Sequence, residues 1–155
     1  MPFRRIKIGD VIIAEAAVRD DGTTKEYINV GYPAVASFDI VEALKKAARE
    51  QGVRHHVGIV RTNDAFYGAA NLESIVNKYK EAGVLSFDME CSAVFIAARL
   101  RGGMKAGGVL GVVNNVVKGE SGMEEKGPLA SEYKRKAEDA EKNAIKVAVR
   151  AVKLL

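Results

Sequence analysis

Apolar positions recur along this chain with two alternating periods, one fitting strands and one fitting helices, and that alternation predicts an α/β protein. Val11 to Ala17 is a nearly continuous apolar run, predicted to be a largely buried strand. Asp20-Asp21-Gly22 follows as a turn, because Asp and Gly tolerate the dihedrals that a tight connection needs. Thr23 to Val30 is expected to return as a strand. Pro33 then breaks the chain ahead of a helix, with Ser37 as N-cap and Asp39 in the first turn. Ile40, Val41, Leu44, Ala47 and Ala48 form its buried stripe, and Gly52 stops it. His56 to Thr62 is the next strand and delivers the loop Asn63 to Gly68. Leu72 to Ala82 reads as a helix with Leu72, Ile75, Val76 and Tyr79 on one face and Gly83 at its end.

The stretch from Ser86 to Asn115 organises the rest. It reads as a short strand, an amphipathic helix and a second strand. Ala93, Phe95, Ile96, Ala97 and Leu100 mark the helix, ended by Gly102 and Gly103. Gly107 to Val113 is small and apolar throughout, the pattern of a central strand covered on both faces. Asp88 and Glu90 flank Met89 where the first strand turns into the helix, and open α/β sheets hold their ligands at such junctions. A small-molecule site around Glu90 is the expectation. Lys118 to Gly127, rich in Gly and charge, is expected to be a mobile loop able to close over a ligand. Ser131 to Leu155 is a long terminal helix with Ala137, Ala140, Ala144, Val147, Ala148, Ala151 and Leu155 as its inner stripe.

Composition narrows the class. A length of 155 residues suits one domain, 1–155, and a hydrophobic fraction of 48% with 28% charged residues argues against disorder or a fibre. No apolar run approaches a membrane span, and Met1-Pro2-Phe3-Arg4-Arg5 is not followed by a signal-peptide core, so a cytoplasmic protein without a membrane partner is expected. The net charge of +4 raises nucleic acid as a partner, yet the basic residues are scattered. The densest group, Lys134-Arg135-Lys136, is followed by acidic residues and lacks interleaved aromatics, which reads as a solvated helix face. What survives is a positive field that attracts phosphate-bearing substrates. Cys91, the single cysteine, excludes an intrachain disulfide, fits a reducing compartment and reads as a buried helical thiol without an activating base. His55 and His56 are neighbours on a strand and point to opposite faces, so no zinc site is expected.

Asp88-Met89-Glu90, followed by a small-residue helix, a Gly pair and the run AGGVLGVVNN, resembles the ribose-binding segment of the nucleoside phosphorylase family that includes uridine phosphorylase and hexameric purine nucleoside phosphorylase. IGDVIIAEAAVRDDGTT, YPAVASFDIVEALKKAAREQG and TNDAFYG are similar to further segments of that family, so the resemblance covers residues 6 to 155 and is strongest to the uridine phosphorylase type. It implies a three-layer αβα fold with a mixed central sheet, lacking the family's N-terminal strands. It further implies reversible phosphorolysis of a nucleoside to base and ribose 1-phosphate in a homo-oligomer, with phosphate as co-substrate and no metal or organic cofactor. Phosphate is the nucleophile in such a reaction, so the protein must position the ribose and stabilise charge on the departing base. By resemblance Glu90 accepts hydrogen bonds from the ribose hydroxyls and Met89 forms an apolar wall under the sugar. Phe66 falls where the family has an aromatic against sugar and base, although taken alone an aromatic after a strand is more often core. Asp88 reads either as the family's preceding acidic residue or as a helix N-cap.

Two departures stand out. Bacterial uridine phosphorylases place a Gln and an Arg where this chain has Ala70 and Leu72. After the second buried strand they have Asn-Arg, and hexameric purine enzymes Ser-Asp, where this chain has Asn114-Asn115. An amide donates a hydrogen bond but is no general acid, so Asn115, with Asn114 beside it, is expected to contact the base without protonating it. The family's phosphate-binding residues belong to its N-terminal half, which this segment does not include. Arg4 and Arg5 are weak substitutes, so a longer enzyme, a partner chain supplying the phosphate site and a non-catalytic nucleoside-binding or oligomerisation module are all open. A hydrolytic nucleosidase, using water in place of phosphate, is the remaining alternative.

Overall fold

Val11, Ile12, Ile13 and Ala14 are fully buried, and they open the strand on which the sheet is built. The computed structural model describes residues 6–65, 71–123 and 129–155. Its elements are β1 (Val11–Asp20), α1 (Thr23–Tyr27), β2 (Ala34–Val35), α2 (Phe38–Glu50), β3 (His55–Asn63), α3 (Leu72–Glu81), β4 (Ser86–Asp88), α4 (Cys91–Leu100), β5 (Gly108–Gly111), β6 (Asn114–Asn115), β7 (Glu120–Ser121) and α5 (Ala130–Val152). Five strands form one sheet in the order β2-β1-β3-β4, with β5 also paired to β1. The sheet is mixed, because β1 and β2 are antiparallel through Ala16↔Val35 while β3 and β4 are parallel through Val60↔Ser86 and Thr62↔Asp88. This is the expected α/β class. No helix among the described residues is long and apolar enough to cross a membrane.

The chain divides into two compact units, one holding the chain through Ile13, Glu42–His56 and Val109–Leu155, the other Ala14–Val41 and Val57–Gly108. In the first unit, α5 buries Ala137, Ala140, Ala144, Val147 and Ala151 of the stripe expected of it and half-buries Ala148. Small residues there meet small residues. A Cβ added to Gly111 would stand 2.9 Å from the Ala140 backbone, and one added to Gly122 would stand 2.6 Å from the Ala137 Cβ. Leu155 departs from the stripe, since the helix ends at Val152 and leaves it exposed. An antiparallel ribbon of β6 and β7, through Asn114↔Ser121 and Asn115↔Glu120, places a short strand inside the expected loop Lys118 to Gly127, whose residues 124–127 lie outside the described residues.

Two expectations for strands are corrected. Gly107 to Val113 was expected as a buried central strand, but β5 is four residues long and half-buried throughout, its glycines serving close approach to neighbours rather than full enclosure. Thr23 to Val30 is not a strand at all. In the second unit only Thr23–Tyr27 of this segment is regular, as the short helix α1, and the cause lies in Arg19. That guanidinium is buried, and its five donors reach Thr24 Oγ1 at 3.1 Å and the carbonyl oxygens of Thr24, Ile28, Asn29 and Tyr32 at 2.5–2.8 Å. Carbonyls that a strand would hand to a neighbour are gathered by one side chain instead. Asp21 adds a cap, accepting the Thr24 N–H at 2.6 Å. Of the stripe expected of α4, Phe95 and Ile96 are buried, Ala93 and Ala97 half-buried and Leu100 exposed at the helix end, while Gly102 and Gly103 follow it with φ of 78° and 71°, a conformation that costs glycine little.

Candidate functional site

β3 and β4 run in parallel and end side by side, which puts Thr62 directly opposite Asp88. Both side chains are buried, and Thr62 Oγ1 donates to Asp88 Oδ1 at 2.8 Å. The other oxygen of Asp88 accepts the backbone N–H groups of Glu90 and Cys91 at 3.0 and 2.5 Å. Of the two readings left open for Asp88, its bonds support the capping one: it closes the start of α4. Thr62 Oγ1 also accepts the Ser92 N–H at 3.0 Å. Three successive N–H groups that a helix start leaves without intrahelical partners are therefore taken by buried side chains of β3 and β4.

Glu90 occupies the N-cap position of α4, with φ −131° and ψ −33°, yet its carboxylate makes no capping bond. It is exposed, as is Met89 at 49%, and its Oε2 accepts only the neighbouring Met89 N–H, at 3.2 Å, among the hydrogen bonds that describe it. The strand end thus turns Asp88 inward and presents Met89 and Glu90 outward. An exposed carboxylate next to a thioether can accept hydrogen bonds from a polyhydroxyl ligand while offering its ring an apolar surface.

Behind this junction the polar contacts continue. Ser92 Oγ donates to Asp21 Oδ2, which also accepts the Thr24 hydroxyl at 2.9 Å. Burial alone would raise the Asp21 carboxyl, but hydrogen bonds from Ser92 and Thr24 hold it below the usual carboxylate range. Arg61, Tyr79 and Phe87 form a separate cluster. The Arg61 guanidinium lies 4.7 Å from the Tyr79 ring centroid and 5.3 Å from that of Phe87, and Arg61 Nε donates to Asp20 Oδ2 at 2.6 Å. Arg19, Thr62, Ser92 and Arg61 carry no side-chain role in the sequence reading, and Asp21 enters it only as part of a turn. The only local signal was the Asp21 to Thr24 spacing, typical of a side chain capping the turn that follows it.

Asn114 and Asn115 belong to the first unit and form β6. Asn115 is buried and its Nδ2 donates to the Ile6 carbonyl at 3.1 Å, while Asn114 Oδ1 accepts the Ser121 hydroxyl and the Gly122 N–H. Phe66, Ala70, Arg4 and Arg5 lie outside the described residues. Cys91 is buried. Its burial, and then the nearby Asp88 charge, push the thiol far above its ordinary value, opposite to what a nucleophile needs. His55 Nδ1 meets the Val53 carbonyl and His56 Nε2 meets Asp10, so the two rings diverge as their adjacency on a strand requires.

Comparison with known proteins follows the same line. A family model described as the phosphorylase superfamily matches residues 3–153. The chain is 38% identical to a uridine phosphorylase of Thermococcus kodakarensis, covering 97% of this chain and 52% of that protein. It is 34% identical to a guanosine phosphorylase of Halorubrum lacusprofundi, covering 97% of this chain and 60% of the relative. Among solved structures, a uridine phosphorylase from Vibrio fischeri superposes with a TM-score of 0.84 at 30% identity, over 97% of this chain and 58% of that one. A purine nucleoside phosphorylase from Toxoplasma gondii, solved with immucillin-H, superposes with a TM-score of 0.78 at 28% identity, over 97% and 57%. The chain thus spans between half and three fifths of the length of these relatives.

Proposed function

The chain belongs to the phosphorylase superfamily, and on that premise we propose that it is the ribose-binding part of a nucleoside phosphorylase, most like uridine phosphorylase, that cleaves a nucleoside with phosphate to free base and ribose 1-phosphate. Phosphate attacks the anomeric carbon, the bond from that carbon to the base nitrogen breaks, and the electron pair leaves with the base, which takes up a proton. Glu90 grips the ribose hydroxyls and Met89 lies against the sugar. One observation carries this reading: the work of closing α4 falls on Asp88 and Thr62, so the carboxylate of Glu90 stands exposed at the helix start without a capping duty.

The assignment of Phe66, Asn114 and Asn115 to the nucleoside rests on the resemblance alone. Within this proposal the reaction runs without a metal or organic cofactor, in the cytoplasm and in a homo-oligomer. The names of the relatives supply the probes. Base release from uridine and from guanosine is measured with and without inorganic phosphate. Release that requires phosphate supports the proposal. Release at the same rate in phosphate-free buffer would make the protein a hydrolytic nucleosidase, and binding without release a nucleoside-binding module.

A further inference from the structure

The polar groups under the α4 start form one buried chain, and its arrangement is more elaborate than closing a helix requires. A single local Ser, Thr, Asp or Asn at the N-cap suffices for most helices. Here the cap position belongs to Glu90, and the N–H groups of Glu90, Cys91 and Ser92 are bound from β4 and β3 by Asp88 and Thr62. Each hydroxyl in the chain has a fixed direction. Thr62 Oγ1 donates to Asp88 and accepts from the Ser92 N–H. Ser92 Oγ donates to Asp21 Oδ2, and the Thr24 hydroxyl donates to the same oxygen while accepting from Arg19 Nε. Thr24, Thr62 and Ser92 are fully buried, and Asp21 nearly so. A buried polar network satisfied in this way has one low-energy arrangement, since any shift leaves a desolvated group unpaired. The backbone it constrains is that of Glu90, Cys91 and Ser92.

We propose that Thr62, with Asp88, Ser92 and Asp21 behind it, is a positioning residue that holds the Glu90 backbone in the setting from which its carboxylate grips ribose. This rests on the reading that Glu90 binds a nucleoside. Thr62 touches no ligand and acts only through Glu90.

The test uses nucleoside binding, so that it does not depend on turnover. Dissociation constants for uridine and guanosine are measured by titration calorimetry on the wild-type protein and on Thr62→Val, Thr62→Ser, Glu90→Ala and the double variant Thr62→Val/Glu90→Ala, with thermal midpoints recorded alongside. Valine keeps the shape of threonine and removes both hydrogen bonds of the hydroxyl. Thr62→Val is expected to weaken nucleoside binding roughly tenfold, as small misplacements of a binding group do, and Thr62→Ser to restore it. In the Glu90→Ala background Thr62→Val should add nothing, because its effect passes through the missing carboxylate.

Wild-type affinity in Thr62→Val, or an undiminished Thr62→Val effect in the double variant, overturns the proposal, even if the thermal midpoint falls. Should Thr62→Val not fold, Ser92→Ala, which removes only the bond to Asp21, takes its place with the same expected pattern. If the wild-type protein binds nucleoside but releases no base with phosphate, the proposed reaction falls and the positioning role stands. If it binds neither nucleoside, both fall.

Discussion

Asp88 and Thr62 are paired across two parallel strands by a 2.8 Å hydrogen bond between buried side chains, and between them they bind three consecutive backbone N–H groups at the start of α4. Removing the carboxylate leaves the N–H groups of Glu90 and Cys91 and the Thr62 hydroxyl without acceptors. Asp88→Ala should therefore cost about 1–3 kcal/mol of stability, seen as a reduced urea midpoint with little change in the denaturant slope.

Glu90→Ala has the opposite signature. The side chain is exposed and caps nothing, so the thermal midpoint should stay near that of the wild type. Charge-assisted hydrogen bonds to a ligand contribute on the order of 1.5–3 kcal/mol, so kcat/KM for base release should fall about 10- to 100-fold. Steady-state assays with uridine and guanosine check this, and unchanged kinetics would remove Glu90 from the site.

Arg19 is buried against neutral acceptors alone in the hydrogen bonds that describe it, and α1 with the turns after it depends on that one guanidinium. Arg19→Met should lose roughly 3 kcal/mol or more, because several carbonyl oxygens lose their donor at once. Arg19→Lys should recover little, since an ammonium is a compact charge and cannot span the same fork of acceptors. Denaturant titration of the two variants distinguishes these outcomes.

Asp21 ties acid stability to the same region. Burial would raise its carboxyl, but hydrogen bonds from Ser92 and Thr24 outweigh that and lower it below 3.8. A carboxyl depressed in the folded state adds stability that is complete above its unfolded value, about pH 4, and is lost as pH falls through the folded value. The wild-type protein should thus lose stability steadily below about pH 4, and Asp21→Asn should show a shallower slope there together with a lower plateau at neutral pH. Thermal midpoints across that pH range are the measurement.

Cys91 should resist thiol reagents in the native protein at pH 8 and react at once in denaturant. Burial and the Asp88 charge disfavour its thiolate, and its Sγ lies where a Cβ on Gly108 would approach it to 2.8 Å. Rapid native labelling would contradict that environment.

Local periodicity determined much of the fold. The stripes of α2, α4 and α5 and the apolar run of β1 were legible because a helix or strand places residues at fixed spacing on one face, and neighbours in sequence suffice to show it. The Asp88-Met89-Glu90 segment was likewise legible, through its position at a strand-to-helix junction and its resemblance to a ribose-binding motif. Tertiary structure decided what polar side chains do. Whether Thr23 to Val30 returned as a strand or opened as the helix Thr23–Tyr27 depended on the buried Arg19 that gathers its carbonyls. Whether Asp88 faced a ligand or its own helix depended on the register that sets Thr62 opposite it. Ser92 and Asp21 are 71 residues apart in the chain. A hydrogen bond is satisfied by whichever group the fold brings within about 3 Å, and no pattern among adjacent residues specifies that partner.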